Sequence, residues 1–414
     1  MTKIAETKPH ILVINVFFAP FTYGGATVVA EQVARRLQSE HGFRVSAISV
    51  TSQDGLPPYS VLKTEQAGIV NYVINLPFHR NYAETYDNPQ VTEVVERLLR
   101  RIGPDAVHMH CLQDLGAGIL PMIKRHNVPM VLSTHDFWWL CERQFMIRMD
   151  GRYCGQDPIQ IEGCRGCVDD FDQARSRVGR LKAAATVADV VTYPSQFAHD
   201  LSVKSGLAGQ KSMVWQNGVI KPAEDFFVAQ ANRREASGGR LAFGFVGGPS
   251  HIKGWPIIQS AFAQISREDF DGYLVDGSMD GGWWQNVDYS KMKGNWQVHP
   301  RYSQAEIDDF YAKIDVLLFM SQWKETFGLT IREALARGIQ VIQTDSGGTI
   351  EHAAVNPDRL LQIGDGPDVL LPHLEEVLER NNAFQSPIDV SSFSKQAAEM
   401  ADCLNGLISG SDQR

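Results

Sequence analysis

Short apolar segments alternate with amphipathic segments along most of the 414-residue chain. Runs such as HILVINVFF and VPMVLSTHD have the length and composition of buried β-strands. The segment TVVAEQVARRLQSE instead repeats apolar residues at the i, i+3 and i+4 spacing of a helix. Strands that alternate with helices form parallel sheets, because each helix carries the chain back across the sheet. The sequence therefore predicts doubly wound α/β domains.

Two series of such strands indicate two domains in tandem. The first series ends near residue 218, and the second begins near residue 240, after the polar segment ANRREASGGR. We therefore expect an N-terminal domain over residues 1–218 and a second domain over residues 219–385. In residues 386–414 apolar side chains recur at helical spacing, which predicts a helix with one buried face. These side chains are Phe393, Ala397, Met400, Leu404 and Leu407.

The charge of the chain argues against some classes of partner. Its 48 acidic residues outnumber its 39 basic residues, and the acidic excess lies after residue 220. An acidic chain without a recognised nucleic-acid-binding module predicts no nucleic-acid partner. We expect the more balanced first half to be the part that contacts an anionic acceptor or a membrane surface. The alternative is that its arginines only cover solvated helices.

The apolar segments indicate a cytoplasmic protein. None approaches the ~20 residues of a membrane-spanning helix. The first one, HILVINVFF, is not followed by a small-residue cleavage site, so we expect no secretory signal. Peripheral contact with the inner face of the cell membrane is an additional expectation. The candidates for that contact are Arg175, Arg177, Arg180 and Lys182.

The segment KETFGLTIREA, residues 324–334, carries two acidic residues beside a predicted helix start. A buried strand runs into this segment, and we predict a helix from Leu329 to Arg337 that is ended by Gly338. Ligands of parallel α/β sheets bind beyond the carboxyl ends of the strands. This loop is therefore a candidate binding site.

The carboxylates of Glu325 and Glu333 can bind hydroxyl groups, whereas the free backbone amides at the helix start can bind phosphate. A carboxylate accepts charge-assisted hydrogen bonds from vicinal hydroxyls, and a helix N-terminus attracts anions. A nucleotide sugar offers hydroxyls at both ends and a diphosphate between them. The alternative is that Glu325 is solvent-exposed and that Glu333 caps its own helix.

The longer segment ETFGLTIREALARGIQVIQTDSGGTIE, residues 325–351, resembles the motif of glycosyltransferase family 4, a retaining group with the GT-B fold. Other segments extend the resemblance over almost the whole chain in the expected order: FTYGGATVVAEQVARRL, DAVHMHCLQDLG, STHDFWW, VTYPSQF, QNGV and FVGGPSHIKGW. The resemblance implies two Rossmann-like domains that face each other across a cleft. The first would bind the acceptor and the second the nucleotide sugar, with the C-terminal helix crossing back to the first.

The resemblance also assigns roles to individual residues. Glu325 is expected to contact hydroxyls of the donor sugar, and Glu333 the ribose. His135 is expected near the reaction centre, although the sequence alone leaves a structural pair with Asp136 open. The other donor-binding positions implied by the resemblance are Gly24, Gly25, Lys253, Phe327, Gly328, Leu329 and Thr330.

Lys253 matches the diphosphate-binding lysine of the family, which acts as a point charge for the departing nucleotide. The chain departs from the family at Gly248 and Pro249, because many members carry an arginine there. His108 and His110 lie on one predicted strand, and we expect at most one of them to face the site.

The activity implied by the resemblance is transfer of a sugar, with retention of configuration, from a UDP or GDP sugar. The implied acceptor is a hydroxyl of a glycan, lipid-linked, in surface polysaccharide synthesis. A double displacement needs a carboxylate nucleophile, and no residue is an evident candidate, so we expect front-face attack. No Asp-x-Asp motif stands out, which predicts metal-independent catalysis without a cofactor. A GT-B-like epimerase or phosphorylase, or a non-catalytic sugar-nucleotide-binding protein, stays open.

Four of the six cysteines fall in an insert that spans about residues 137–170 of the first domain. They are Cys141, Cys154, Cys164 and Cys167. Clustered thiols in a cytosolic chain seldom form disulfides, and the final C-x2-C spacing is typical of a structural zinc site. We predict a structural zinc. Reduced structural cysteines, a disulfide and an iron–sulfur cluster are the alternatives.

Metal analysis of the untagged protein tests this zinc site. We expect about one zinc per chain, because four thiolates close one tetrahedral site. We also expect a chelator to lower the thermal stability, since the metal would hold an insert with little core of its own. A metal-free protein of full stability would contradict the site.

Overall fold

The computed structural model describes residues 8–382 and 385–411. By its contacts the chain divides into two compact units. The first comprises the N-terminal stretch up to Phe145, Gln156–Gly218 and the segment from Ser391 onward, and the second comprises Met146–Gly155 and Val219–Val390. Each unit is built around one largely parallel sheet, which confirms the predicted α/β class. The short segment Met146–Gly155 differs from expectation, because its contacts place it with the second unit.

The first unit contains eight strands and six α-helices among the described residues. The strands are β1 (His10–Ile14), β2 (Arg44–Thr51), β3 (Val61–Gln66), β4 (Ile69–Asn75), β5 (Ala106–Met109), β6 (Met130–Ser133), β7 (Val190–Tyr193) and β8 (Lys211–Val214). The helices are α1 (Gly25–Ser39), α2 (Pro89–Ile102), α3 (Ile119–Arg125), α4 (Phe171–Ala185), α5 (Gln196–Lys204) and, near the C-terminus, α11 (Phe393–Ser411).

The sheet of the first unit has the strand order β3-β4-β2-β1-β5-β6-β7-β8. Its neighbouring strands are parallel except for β3 and β4, which are antiparallel. In the register of the sheet, His10 of β1 pairs with Arg44 of β2, and Ile11 pairs with Ala106 of β5. The strands β1, β5, β6 and β7 are buried along their whole length. This burial explains why they read as largely apolar runs and do not alternate.

Helix α2 shows how local signals set the helix boundaries. The side chain of Asn88 accepts a hydrogen bond from the backbone N–H of Val91, which caps the first turn. Pro89 follows at the first helical position, where a missing N–H breaks no hydrogen bond. Gly103 ends the helix with a φ of 58°, the left-handed conformation that favours glycine.

The second unit contains five strands and five α-helices among the described residues. The strands are β9 (Ala242–Phe245), β10 (Asp271–Val275), β11 (Asn295–His299), β12 (Val316–Phe319) and β13 (Gln340–Gln343). The helices are α6 (Phe226–Ala236), α7 (Trp255–Gln264), α8 (Ile307–Tyr311), α9 (Leu329–Ala336) and α10 (Pro367–Arg380). Short 3-10 helices in the chain span Ala83–Thr85, Ile161–Cys164, His251–Lys253, Gly348–Ile350 and Pro357–Arg359.

The sheet of the second unit is parallel throughout, with the order β11-β10-β9-β12-β13. Asp315, just before β12, ties this sheet to α6. Its buried carboxylate accepts hydrogen bonds from the backbone N–H of Ala242 and from the side chains of Arg233 and Arg234. A buried carboxylate is tolerated when it is paired and hydrogen-bonded in this way.

Helix α11 belongs to the first unit and packs against α1. Four residues of its predicted apolar stripe are buried, and the fifth, Leu407, is half-buried. Gln396 is also buried: its side chain accepts a hydrogen bond of 2.7 Å from the backbone N–H of Gly218. Its carbonyl accepts a second from the indole of Trp215. At Gly218 a Cβ atom would lie 2.3 Å from the backbone nitrogen of Phe393, so only glycine allows this approach.

Within the described residues, no helix combines the length and the apolar composition that crossing a lipid bilayer requires.

The packing of α11 predicts that Gln396→Ala destabilises the protein. We expect the free energy of unfolding to fall by about 1–3 kcal/mol, because the N–H of Gly218 loses its acceptor in a buried place. Urea unfolding followed by tryptophan fluorescence measures the change. The neighbouring exposed residue supplies the control, and Lys395→Ala should stay within about 0.5 kcal/mol of the wild type. Equal stability of the two variants would contradict the role of Gln396.

Candidate functional site

The candidate site of the second unit lies where β12 leads into α9. The helix begins at Leu329, as predicted, and Gly338 follows it with a left-handed φ of 67°. Gly328 precedes the helix with a φ of 81°, and a Cβ atom there would lie 2.9 Å from the side chain of Thr349. Glycine is therefore needed at this position for two reasons, the backbone conformation and the close approach of the next loop.

Two of the three charged side chains predicted to contact the donor here, those of Lys253 and Glu325, contact each other. The Nζ atom of Lys253 lies 2.7 Å from Oε1 of Glu325, and the hydroxyl of Ser321 donates to the same oxygen at 2.7 Å. The side chain of Glu325 is 12% exposed and that of Lys253 is 31% exposed. Lys253 also lies 5.6 Å from the ring centre of Trp323. The alternative of a freely exposed Glu325 is therefore wrong.

The loop after β13 is held beside Glu325 by backbone hydrogen bonds. The N–H of Glu325 donates to the carbonyl of Ser346, and the N–H of Gly348 donates to the carbonyl of Glu325, both at 2.9 Å. These bonds form a short parallel bridge between Glu325 and Gly347. The loop after β13, which contains Gly347 and Gly348, is thus attached to the loop that carries Glu325.

Arg332 joins the same two loops and was not singled out from the sequence. Its buried guanidinium donates hydrogen bonds of 2.6 to 3.1 Å to four backbone carbonyls. These carbonyls belong to Phe327, Gly348, Thr349 and Glu351. Burial lowers the pKa of Arg332 to about 10, so the group stays charged at neutral pH. The only sequence signal was a charged residue on a helix whose other side chains are mostly apolar.

Phe327 has a structural contact that the donor-binding prediction did not include. Its ring is buried, and the guanidinium of Arg332 lies 4.4 Å from the ring centre. Leu329 and Thr330 begin α9 and are half-buried. Their position at the helix start agrees with a role for their backbone amides in binding an anion.

Glu333 lies in a different environment from Glu325. Its side chain is buried, and the hydroxyl of Tyr311 donates to Oε2 at 3.0 Å. Burial raises the pKa of Glu333, and the hydrogen bond from Tyr311 and the charge of Arg337 oppose that rise. Among the described contacts of α9 no side chain caps the helix start, so the alternative that Glu333 caps its own helix is wrong. Tyr311, from α8, was not predicted.

Gly248 occupies the position at which the resemblance leads one to expect an arginine. It has a φ of 68°, and a Cβ atom there would lie 2.6 Å from the ring of Trp283. A side chain longer than hydrogen would therefore collide with Trp283.

In the first unit three histidines lie together: His108 within β5, His110 just after it, and His135 after β6. Nδ1 of His110 is 2.9 Å from Nε2 of His135, and the ring centres of His108 and His110 are 4.1 Å apart. Residues i and i+2 of a strand point to the same side, so the strand does not separate the side chains of His108 and His110, and which of them faces the site stays a prediction. Burial lowers the pKa of His135 to about 4, so its imidazole is neutral at pH 7.

Asp136 has hydrogen-bond partners of its own. Its carboxylate accepts from the side chains of Gln113 and Gln144 and from the backbone N–H of Trp138. Burial raises the pKa of Asp136, and these hydrogen bonds oppose the rise. The adjacent Arg177 is buried, with its guanidinium donating to the carbonyl of Trp138. Arg177 is therefore not part of the basic surface that was expected around residues 175–182.

Gly24 and Gly25 lie at the start of α1. Gly24 has a φ of 80° and precedes the helix, and Gly25 is its first residue. Both are exposed, and a Cβ atom on Gly24 would have no heavy atom within 4 Å. The positive φ accounts for glycine at this position, and the open space leaves the backbone accessible.

None of the four clustered cysteines forms a disulfide within the described part of the chain. Cys141 and Cys164 are buried, whereas Cys154 and Cys167 are half-buried. Cys154 belongs to the segment that contacts place with the second unit, and the other three belong to the first. Within residues 8–382 and 385–411, no three His, Cys, Asp or Glu side chains are grouped as a metal site would require. The zinc site stays a prediction.

Comparison with known proteins covers most of the chain. Residues 23–220 match the family model described as Glycosyltransferase Family 4, and residues 234–389 match the one described as Glycosyl transferases group 1. A relative from Klebsiella pneumoniae, the uncharacterized 42.6 kDa protein in the cps region, is 20% identical over 368 residues. That alignment covers 84% of this chain and 88% of the relative.

Solved structures are similar over nearly the full length. Sucrose-phosphate synthase from Thermosynechococcus elongatus has a TM-score of 0.64 at 15% identity, with 98% of both chains covered. Anabaena HepE in complex with UDP-glucose has a TM-score of 0.58 at 18% identity, again with 98% of both chains covered. At such identities these likenesses show the fold.

The buried carboxyl of Glu333 predicts a stabilising effect of Glu333→Gln. A carboxyl whose pKa is raised by folding loses stability as the pH rises from its unfolded-state pKa through its folded-state pKa. Glutamine carries no charge, so the variant should gain roughly 1 kcal/mol at neutral pH, the usual scale for one side chain. The gain should shrink as the pH falls through that window. Thermal unfolding between pH 4 and pH 8, an interval chosen to span the carboxyl range, measures it.

Glu379→Gln is the matched control, because Glu379 is exposed on α10. This variant should show no comparable pH-dependent gain. A Glu333→Gln protein that is less stable than the wild type at every pH would mean that the ionised carboxylate stabilises the fold.

Proposed function

The chain belongs to the family 4 type of GT-B glycosyltransferases, and on that basis we propose that it transfers a sugar from a nucleoside diphosphate sugar to a hydroxyl of a glycan acceptor. HepE, which shares the fold, was solved with UDP-glucose, and this supports a uridine donor ahead of a guanosine donor. The proposal includes a hexosyl or deoxyhexosyl donor and retention of the anomeric configuration.

The ion pair of Lys253 and Glu325 is the observation that carries the proposal. Its charges lie at the carboxyl end of a parallel sheet, beside the start of α9, where diphosphates bind in folds of this kind. In the donor complex Lys253 neutralises the diphosphate together with the amides of Leu329 and Thr330. Glu325 accepts hydrogen bonds from the sugar hydroxyls, and Glu333 from those of the ribose.

The proposed reaction is a front-face displacement. The bond from the anomeric carbon to the diphosphate oxygen breaks, and the acceptor oxygen forms its bond on the same face. The departing diphosphate takes the acceptor proton. Lys253 and the positive end of α9 stabilise the charge that grows on the diphosphate. His135 is neutral, since burial lowers its pKa to about 4, so we assign it a hydrogen-bonding role toward the donor sugar.

The proposed acceptor is a lipid-linked glycan in surface polysaccharide synthesis. The relative from the Klebsiella cps region supports this assignment. Peripheral contact with the inner face of the membrane belongs to the same proposal.

We also propose catalysis without a metal. The segment DGSMDG, residues 276–281, contains two aspartates, but the carboxylate of Asp276 accepts hydrogen bonds from Ser278 and Trp283. Asp276 therefore stabilises its own loop. The structural zinc remains a separate proposal.

Lys253→Met tests the donor site. We expect the affinity for the nucleoside diphosphate sugar to fall about tenfold or more, because a charge-assisted contact to phosphate is lost. Thermal-shift screening against UDP and GDP sugars first identifies the donor, and calorimetry then compares the variants. Lys324→Met is the matched control. It removes the same charge from a 2.8 Å ion pair with Asp345, only one residue before Glu325.

In an assay of nucleoside diphosphate release with donor and acceptor, Glu325→Ala should lower turnover by at least about 100-fold, the scale of losing a key electrostatic contact. Near-normal turnover would contradict the role proposed for Glu325. Equal effects of Lys253→Met and Lys324→Met on donor affinity would contradict the role proposed for Lys253. Release of nucleoside diphosphate only with acceptor distinguishes transfer from epimerisation, which would convert the donor without acceptor.

A further inference from the structure

His110 and His135 form a hydrogen-bonded pair in the first unit. Their bonded nitrogens are 2.9 Å apart, their ring centres are 5.2 Å apart, and their ring planes differ by 17°. The rings therefore meet edge to edge, which points a nitrogen lone pair of one ring at the N–H of the other. His110 is 1% exposed, whereas His135 is half-buried. The pair thus has an inner member, His110, and an outer member, His135.

The inner member is held in place by its own neighbours. The backbone N–H of His110 donates to the carbonyl of Ile14 on the adjacent strand, at 2.9 Å. The ring of His108 packs against the ring of His110, and Nε2 of His108 lies 2.8 Å from the hydroxyl of Ser133. Because these contacts fix the ring of His110, that ring can in turn fix the ring to which it is bonded.

The bond between the two histidines requires one N–H and one unprotonated nitrogen. Burial lowers the pKa of both residues, to about 4 for His135, so each ring is neutral at pH 7 and holds one proton. Two arrangements satisfy this requirement. Either His110 donates from Nδ1 to Nε2 of His135, or His135 donates from Nε2 and His110 keeps its own proton on Nε2.

The surroundings of His110 favour the first arrangement. Its Nε2 is buried and has no hydrogen-bond partner among the residues that the structure describes. A proton on this nitrogen would be a buried N–H without an acceptor, and such groups are rare in native proteins. The proton of His110 therefore lies on Nδ1, where the bond to His135 uses it. His135 then accepts at Nε2 and carries its own proton on Nδ1.

From this geometry we propose that His110 is a positioning residue, which sets both the ring orientation and the tautomer of His135. A half-turn of the His135 ring would bring a C–H group to the place of Nε2 and break the bond, so the contact selects one orientation. His110 itself does not contact the donor. The effect of His110 on turnover rests on the proposed function, whereas its effect on the tautomer does not.

The assigned tautomer limits the chemistry that is open to His135. Its Nε2 is engaged by His110 and its pKa is about 4, so this nitrogen is a poor proton acceptor for an acceptor hydroxyl at neutral pH. This agrees with the proposed front-face reaction, in which the departing diphosphate takes that proton. A protonated Nδ1 gives the ring a fixed dipole without a net charge. Such preorganised dipoles stabilise charge that develops in a transition state.

Nitrogen-15 NMR of the full chain with labelled histidine tests the tautomer at pH 7, because protonated and unprotonated ring nitrogens have different shifts. The missing signals in His135→Gln and His110→Leu assign the two rings. We expect His135 to be protonated at Nδ1 in the wild type and to become a mixture of tautomers in His110→Leu. His110→Asn should restore the Nδ1 tautomer, since the amide nitrogen of asparagine is bonded to Cγ, as Nδ1 is, and can donate.

His126→Leu is the matched control for these spectra. His126 is half-buried, and its Nε2 lies 2.8 Å from the carboxylate of Glu96. The variant therefore removes a histidine with a hydrogen bond of similar length elsewhere in the first unit. It should leave the tautomer of His135 unchanged.

Turnover supplies the second measurement. In His110→Leu we expect kcat to fall at least about tenfold, because small misplacements of a group at the reaction centre are costly. The affinity for UDP should stay within about twofold, since the diphosphate contacts proposed for Lys253 and α9 belong to the second unit. His110→Asn should recover most of the lost kcat. A purely structural role would instead lower the stability of both variants, without recovery by asparagine.

Several results would overturn the proposal. They are a wild-type His135 protonated at Nε2, an unchanged tautomer in His110→Leu, and equal losses of kcat in His110→Leu and His110→Asn. If His110→Leu fails to fold, His110→Gln takes its place, because its longer side chain moves the amide nitrogen away from the position of Nδ1 and the same losses are expected. A chain with the expected spectra but without transferase activity would contradict the proposed function and still support the role of His110 in setting the tautomer.

Discussion

Four backbone carbonyls converge on the guanidinium of Arg332, and the candidate site depends on this contact. Two of its bonds reach Phe327 and Thr349, one on each of the loops that flank the start of α9. A buried charge is unfavourable unless it is hydrogen-bonded, and carbonyls that lost the guanidinium would in turn be left unsatisfied. The guanidinium of Arg332 and the two loops therefore stabilise each other. The position of Glu325 depends on this contact, because its backbone is hydrogen-bonded to the loop after β13.

Glu325 and Glu333, the two acidic residues predicted to bind the donor, lie in different electrostatic environments. Oε1 of Glu325 accepts hydrogen bonds from both Lys253 and Ser321 at a partly exposed position. An ion pair that water can reach is weak, so a ligand can exchange with either partner. Glu333 is buried beside Tyr311, where burial raises its pKa. Such a carboxylate gains from any further donor, which is the property that a ribose contact requires.

The sequence predicted the elements better than the contacts between them. Parallel strands and the start of α9 at Leu329 follow from local patterns, namely apolar runs and a glycine before a helical repeat. Arg332 and Tyr311 could not be predicted, because their partners lie on other segments and depend on tertiary packing. The shared orientation of His108 and His110 was predictable, because side chains two positions apart on a strand point to the same face. Phe327 was assigned by motif, which does not tell whether a side chain or a backbone group makes the contact.

The charge distribution shows why net charge says little about this site. The second half of the chain carries the acidic excess, yet the proposed ligand of the second unit is an anionic diphosphate. Exposed charges are screened beyond about 8 Å at physiological ionic strength, so a bound phosphate responds mainly to its nearest groups. Here those groups are Lys253 and the start of α9, while Glu325 is already engaged by Lys253 and Ser321. Local pairing is thus compatible with the proposed anion site inside an acidic unit.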